Sequence, residues 1–436
     1  MKTRTKLFAA IIPLVLAGGS RVWGQTVSDD NATYPYVPFD HATIAYDKAP
    51  GTDPVGLLEQ KLQSGEAKLE YDPKFGYLPS VLKHLGVSID SQVLVFSKTS
   101  FQSPRISPAA PRALFFNDTV SVGSVQRGDV LEFVSLDRNQ AVQFYSLDVR
   151  KTEKPSFLRR TTECLNCHLS PGTLNIPGML IASSYTSADG TPAFRGAQDI
   201  TDHRTPIEDR WGGWYVTGDA GATLTRGNAI SIDPRHPTVL DQRESNLASL
   251  EKKFDNSLYL TGTSDVVALM TYEHQTRMSD LLVRLNWETR IAQADNKTAE
   301  FQDRFKFLVD EVAAYMLFAD EARIRYPITG ISTFTKTFPE RGPRDKKGRS
   351  VRDFDLKTRM FRYPMSYFIY SEVFDHLPDV AREALYRRIY DVLSGKETGA
   401  RYAKLTAEDR TAILEILRDT KPGLPAYYKM STVAAN

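Results

Sequence analysis

The only two cysteines of this 436-residue chain stand three residues apart, and a histidine follows the second: Cys164-Leu165-Asn166-Cys167-His168. No disulfide framework can brace a chain that uses its thiols this way, so the fold must rest on apolar burial. The spacing suits covalent haem attachment. Two thiols on about one helical turn can each add to a haem vinyl group as a thioether, and the adjacent imidazole then serves the iron as proximal ligand. Three other uses stay open. A structural zinc site needs four ligands, usually two such pairs, and one pair is present. A thioredoxin-like pair needs a βαβ setting with a helix running on, whereas Leu169-Ser170-Pro171-Gly172 breaks the chain at once. A disulfide across two intervening residues is strained.

The residues before and after this stretch extend the reading. Lys2, Arg4 and Lys6 precede an apolar run from Leu7 to Leu16, and small residues follow up to Gly24. This is the pattern of a secretory leader cleaved near Gly24, giving a mature chain that starts at Gln25 and is periplasmic or secreted. An uncleaved anchor is the alternative, but the run is short for a membrane span, and no later stretch is apolar enough for one. The Cys-Leu-Asn-Cys-His stretch together with such a leader resembles the c-type cytochromes. Thr201-Asp202-His203-Arg204 and the run Arg210-Trp211-Gly212-Gly213-Trp214-Tyr215 are similar to those of large exported monohaem cytochromes of bacteria. The resemblance implies one haem c per chain, bound through Cys164 and Cys167 with His168 on the iron.

Charge narrows the partners. The chain carries 55 basic and 53 acidic side chains. Four of the basic ones lie in the leader and none of the acidic ones do, which leaves 51 against 53, a net charge of −2. That balance excludes bulk nucleic-acid binding. A periplasmic redox partner or a small-molecule substrate fits instead.

Periodicity predicts an α+β chain, β-rich with short helices in its N-terminal half and mainly helical in its C-terminal half. The expected divisions are a leader over 1–24, a β-rich α+β domain over 25–154, a haem-attachment segment over 155–232 and a mainly helical domain over 233–436. Helical spacing begins at Gly56 and again over 77–85. Alternating β-rich runs start near Val93, Ala113, Val120, Val130 and Val142, with turn residues between them. Asp189-Gly190 marks a hairpin. In the second half, 264–294 reads as one long helix with an apolar stripe of Val267, Met270, His274, Met278, Leu281 and Leu285. Helices over 298–323, 367–376, 380–393 and 407–417 follow, the last opened by Thr406 and Asp409 as a capping box.

The sixth iron position decides between electron carrier and ligand-binding protein. His203, beside Asp202 and after the hairpin, is the first distal candidate, and His274 on the helical stripe is the second. Hydrogen-bonded loop or core histidines are the alternative for both. Arg195, Arg204 and Arg210 are candidate partners for the haem propionates. Trp211 and Trp214 flank a glycine pair, which brings the backbone close to something flat: a porphyrin, or a neighbouring strand. The expected function is electron transfer through one covalently bound haem. The alternatives are a haem enzyme, such as a peroxidase or small-molecule oxidase, and a gas or ligand sensor with an open iron site.

Overall fold

Alternation of apolar residues builds the central sheet. The computed structural model describes residues 33–48, 50–194 and 198–429, so the leader and Arg195 lie outside the described residues. Strands β1 (Val93–Val95), β2 (Arg112–Phe116), β3 (Val120–Ser124), β4 (Val130–Asp137), β5 (Ala141–Asp148) and β6 (Phe157–Arg159) form an antiparallel meander. Asx turns set two of its corners. Asn117 Oδ1 accepts from the Thr119 and Val120 N–H groups, and Asp137 Oδ1 accepts from those of Asn139 and Gln140.

The period of two sends side chains to two faces, and both are buried. Phe115, Leu131, Phe133, Tyr145 and Leu147 face helices α1 (Pro54–Ser64) and α2 (Leu78–His84) in one apolar cluster. Leu114, Phe116, Leu136, Val142 and Phe144 face the other way, into a cluster that continues to the last helix. Between the latter residues the same face carries Arg112 and Glu132, an ion pair, and Ser121. After helix α3 (Thr162–His168) come the short strands β7 (Ala182–Ser184) and β8 (Gln198–Ile200), joined through a hairpin at Asp189-Gly190 as expected.

The Trp-Gly-Gly-Trp-Tyr run becomes strand β9 (Trp214–Tyr215), which pairs with β1 and closes that edge of the sheet. What passes close to the glycine pair is backbone. The Ser184 N–H donates to the Gly212 carbonyl, the Gly212 N–H donates to Ser183 Oγ, and a Cβ on Gly212 would strike the Ser184 carbonyl. Gly213 sits at φ +84°, and its carbonyl accepts from the Phe96 and Ser97 N–H groups. Its Cβ would lie 2.7 Å from Ser97 Cβ and 2.7 Å from Ser184 Oγ. Gly213→Ala therefore combines left-handed strain with a collision on both sides. The expected cost is about 2–3 kcal/mol, read as a lowered urea midpoint.

The helical half is organised by α4 (Val266–Ala294). Asp265 caps it, with Oδ1 accepting from Val267 and Ala268, while its Oδ2 holds the Ile331 and Ser332 N–H groups. The expected single apolar stripe understates this helix: 24 of its 29 residues are buried, polar ones included. It lies between the sheet and the other helices, so it has no solvent face before its last two turns. Around it stand α5 (Gln302–Met316), α6 (Phe334–Glu340), α7 (Glu372–Asp375), α8 (Asp379–Leu393) and α9 (Ala407–Thr420). The Thr406–Asp409 capping box is present at the start of α9. No helix of the described residues is long and apolar enough to cross a membrane.

Candidate functional site

Helix α3 presents Cys164 and Cys167 three residues apart, hence on neighbouring positions of one side. Both are free thiols, the first half-buried and the second exposed. Burial, with Glu132 and Glu163 adding to it, pushes the Cys164 thiol up to about 11. A thiol held protonated in this way is the opposite of an activated dithiol redox centre. Among the described residues no group of three or more His, Cys, Asp or Glu side chains converges to hold a metal ion.

His168 ends the helix and is held at two points by one residue. Its carbonyl accepts from the Gly178 N–H at 2.9 Å, and its Nδ1 donates to the Gly178 carbonyl at 2.9 Å. The chain can return in this way because Ser170 and Thr173 cap each other across a tight turn. A carbonyl only accepts, so Nδ1 carries the ring proton and the lone pair is on Nε2. Burial lowers the His168 pKa despite the Gly178 hydrogen bond, which keeps the ring neutral. Phe144 of β5 lies against it, ring centres 4.9 Å apart. A neutral imidazole with Nδ1 tied to a carbonyl and Nε2 available is the arrangement of an oriented metal ligand.

Four further groups here were not singled out by sequence. Arg112 and Glu132 lie beside His168 on the sheet face, and both act on its charge. Arg112 Nε is buried with no hydrogen-bond partner. Gly178 supplies the clamp, and Asp280 of α4 accepts from the next residue, Met179 N–H, at 3.1 Å. In the sequence, Arg112 and Glu132 resemble ordinary outward strand residues. Only burial of both sheet faces gives them a role.

The other expected site residues gather elsewhere, in the core between α4 and α5. His203 and His274 face each other, Nδ1 to Nδ1 at 2.8 Å, and His274 Nε2 meets Ser366 Oγ at 2.8 Å. His203 stacks on Tyr315 and Phe318, with ring centres at 4.0 and 4.5 Å. Burial pushes both imidazoles down, His274 to about 3, so the pair is neutral and shares one proton between the facing nitrogens. Neither ring hydrogen-bonds or stacks with Cys164, Cys167 or His168 among the described residues. Arg204 is taken by Asp202 in a bidentate pair, Nη2 to Oδ2 at 2.7 Å. Arg210 is buried against Glu273 at 3.1 Å. Both arginines have carboxylate partners inside the protein. Trp211 and Trp214 are core residues, and the Trp214 indole donates to the Ala182 carbonyl at 2.8 Å. Trp214 lies in β9 and Trp211 just before it, both within the core cluster on that side of the sheet.

Next to this polar core, Glu321 accepts from the Met360 N–H at 2.8 Å. Burial raises its pKa from 4.5 to about 7. Between those two values the folded chain binds more protons than the unfolded one, so this stability is complete below pH 4.5 and is lost as pH rises through about 7. Glu321→Gln should remove that loss. Its urea midpoint should exceed the wild type's above pH 7, and the gap should close toward pH 4.5. Comparison of the chain with protein-family models, with curated proteins and with solved structures finds no match.

Proposed function

We propose that the chain is an exported c-type haem protein that passes electrons through one haem, bonded to Cys164 and Cys167 with His168 as proximal iron ligand. The observation that carries this reading is the clamp of His168 by Gly178, which fixes the tautomer and leaves Nε2 to bind iron. Each thioether forms when a thiol sulfur bonds one vinyl carbon and its hydrogen passes to the other, so no oxidant is needed. The residues present suit the group: two free thiols on one helix side, an apolar wall at Phe144, and Arg112 with a donor left over for a propionate. The bound haem would supply one-electron chemistry. The exposure of Cys167 brings whatever is bonded to its sulfur to the surface, within reach of a periplasmic redox partner.

A second reading has its own support. His274 is bonded at both ring nitrogens, to His203 and Ser366, and His203 is bonded at Nδ1 alone, but neither ring hydrogen-bonds or stacks with Cys164, Cys167 or His168 among the described residues. That favours an open iron position, as in a peroxidase, a small-molecule oxidase or a gas sensor. The visible spectrum of the ferrous protein with and without carbon monoxide separates the two. An unchanged low-spin spectrum supports the carrier; a shifted one supports the open site and overturns the carrier.

A further inference from the structure

The peptide group between Gly178 and Met179 is engaged at both ends. Its carbonyl oxygen accepts from His168 Nδ1 at 2.9 Å, and its N–H donates to Asp280 Oδ1 at 3.1 Å. Three groups thus form one directed hydrogen-bond chain from imidazole through peptide to carboxyl. Chains of this kind polarise cooperatively. An acceptor on the peptide N–H makes the peptide carbonyl a better acceptor for Nδ1, and this raises the electron density of the imidazole.

The rest of the site is arranged around that contact. Asp280 is 2 % exposed and sits on α4, whose position is fixed by burial on every side. The carboxyl approaches because residue 178 has no side chain: a Cβ there would lie 2.5 Å from Asp280 Oδ1. Oδ2 is buried and makes no hydrogen bond. Burial outweighs Arg277 nearby and pushes the carboxyl pKa well above its ordinary value, and Oδ1 is the oxygen that accepts from the peptide N–H. A buried carboxyl with an unpaired oxygen is costly, and an apolar residue of similar size would avoid that cost.

We infer that Asp280 is a positioning residue for the proximal histidine, setting the donor strength of His168 through the Gly178–Met179 peptide group. The inference rests on the haem reading above. It assigns to the long helix a part in tuning the oxidised-to-reduced balance, by a group that touches neither the thiols nor the imidazole.

The test is a spectroscopic redox titration of the full, haem-bearing chain with three substitutions. Asp280→Leu removes the acceptor and should favour the reduced form about tenfold at a fixed applied potential, about 59 mV upward for one electron. Gly178→Ala pushes the carboxyl away without changing α4 and should shift the balance in the same direction. Asp280→Asn keeps an oxygen acceptor and should stay within twofold of the wild type. Should Asp280→Leu fold poorly, the Gly178→Ala and Asp280→Asn pair still decides the matter. Haem-bearing Gly178→Ala or Asp280→Leu protein within twofold of wild type overturns this inference alone. A wild-type chain without porphyrin overturns the parent reading and this one with it.

Discussion

Serine at both Cys164 and Cys167 should abolish covalent haem, so that the exported chain has the mass of the polypeptide alone and acid–acetone extraction leaves it colourless. Each single variant should retain at most one thioether. The expectation follows from how little else these sulfurs do. Cys167 is exposed and Cys164 half-buried, both are free, and α3 has no side-chain cap that depends on them. Exchanging sulfur for oxygen at such positions removes little packing and should cost the apoprotein under about 1 kcal/mol. Loss of the prosthetic group is therefore separable from loss of fold. A dithiol redox centre would instead show a thiolate titrating at low pH, whereas Cys164 is held up at about 11 by burial. The check is intact-protein mass, with the circular dichroism of the apo variant confirming the fold.

Arg210→Met should be the most damaging single change in the core. Arg210 is 2 % exposed and Glu273 0 %, so removing the guanidinium strands a carboxyl with no route to solvent. Three interactions go together: Nη1 to Glu273 at 3.1 Å, Nε to the Thr205 carbonyl at 2.7 Å and Nη2 to the His203 carbonyl at 2.9 Å. Thr201 Oγ1, which donates to Glu273 at 2.8 Å, and the Trp211 indole stay beside the carboxyl but carry no charge to balance it. Breaking one side of a buried pair costs about 3–5 kcal/mol, a large part of an ordinary domain's stability. Adding Glu273→Leu to Arg210→Met should recover much of the loss, because the stranded charge is removed as well. Urea unfolding of the four chains of that double-mutant cycle measures it. Equal midpoints for Arg210→Met and wild type would show that the pair is dispensable.

The α+β class and the strand meander were legible because they depend on local alternation. The strands starting at Val93, Ala113, Val120, Val130 and Val142 are found within a residue or so of where their β-rich runs begin. The long helix starts at Val266, two residues after the expected 264, since Asp265 is its cap. Long-range partners were not legible. Strand β9 pairs with β1 across some 120 residues, and nothing in Trp-Gly-Gly-Trp-Tyr names Leu94 and Val95 as its partners. The helix expected over 298–323 is α5, Gln302–Met316, because Phe318 turns left-handed at φ +53° and swings the chain away. Helix α6 was missed altogether, since it ends in Phe338-Pro339-Glu340 and its proline reads as a breaker.

The candidate site divides along the same line. Cys164, Cys167 and His168 are contiguous, so spacing alone brings them together. The clamp at Gly178 and the contact with Asp280 depend on a turn and on a helix a hundred residues away. Asp280 is not among the stripe residues read from the sequence, and the enclosure of α4 around it is a tertiary fact. His203 and His274 were named as alternatives to each other, and the fold brings them into one hydrogen bond. Asp202, next to His203 in sequence, is bound to Arg204 in a bidentate pair.

The most direct measurement is the intact mass and reduced visible spectrum of the mature chain, produced in an export host with haem-attachment machinery. One added porphyrin per chain is expected, resistant to denaturation and acid extraction, with a sharp reduced α-band. A colourless chain of polypeptide mass, or colour that denaturant strips away, would contradict it.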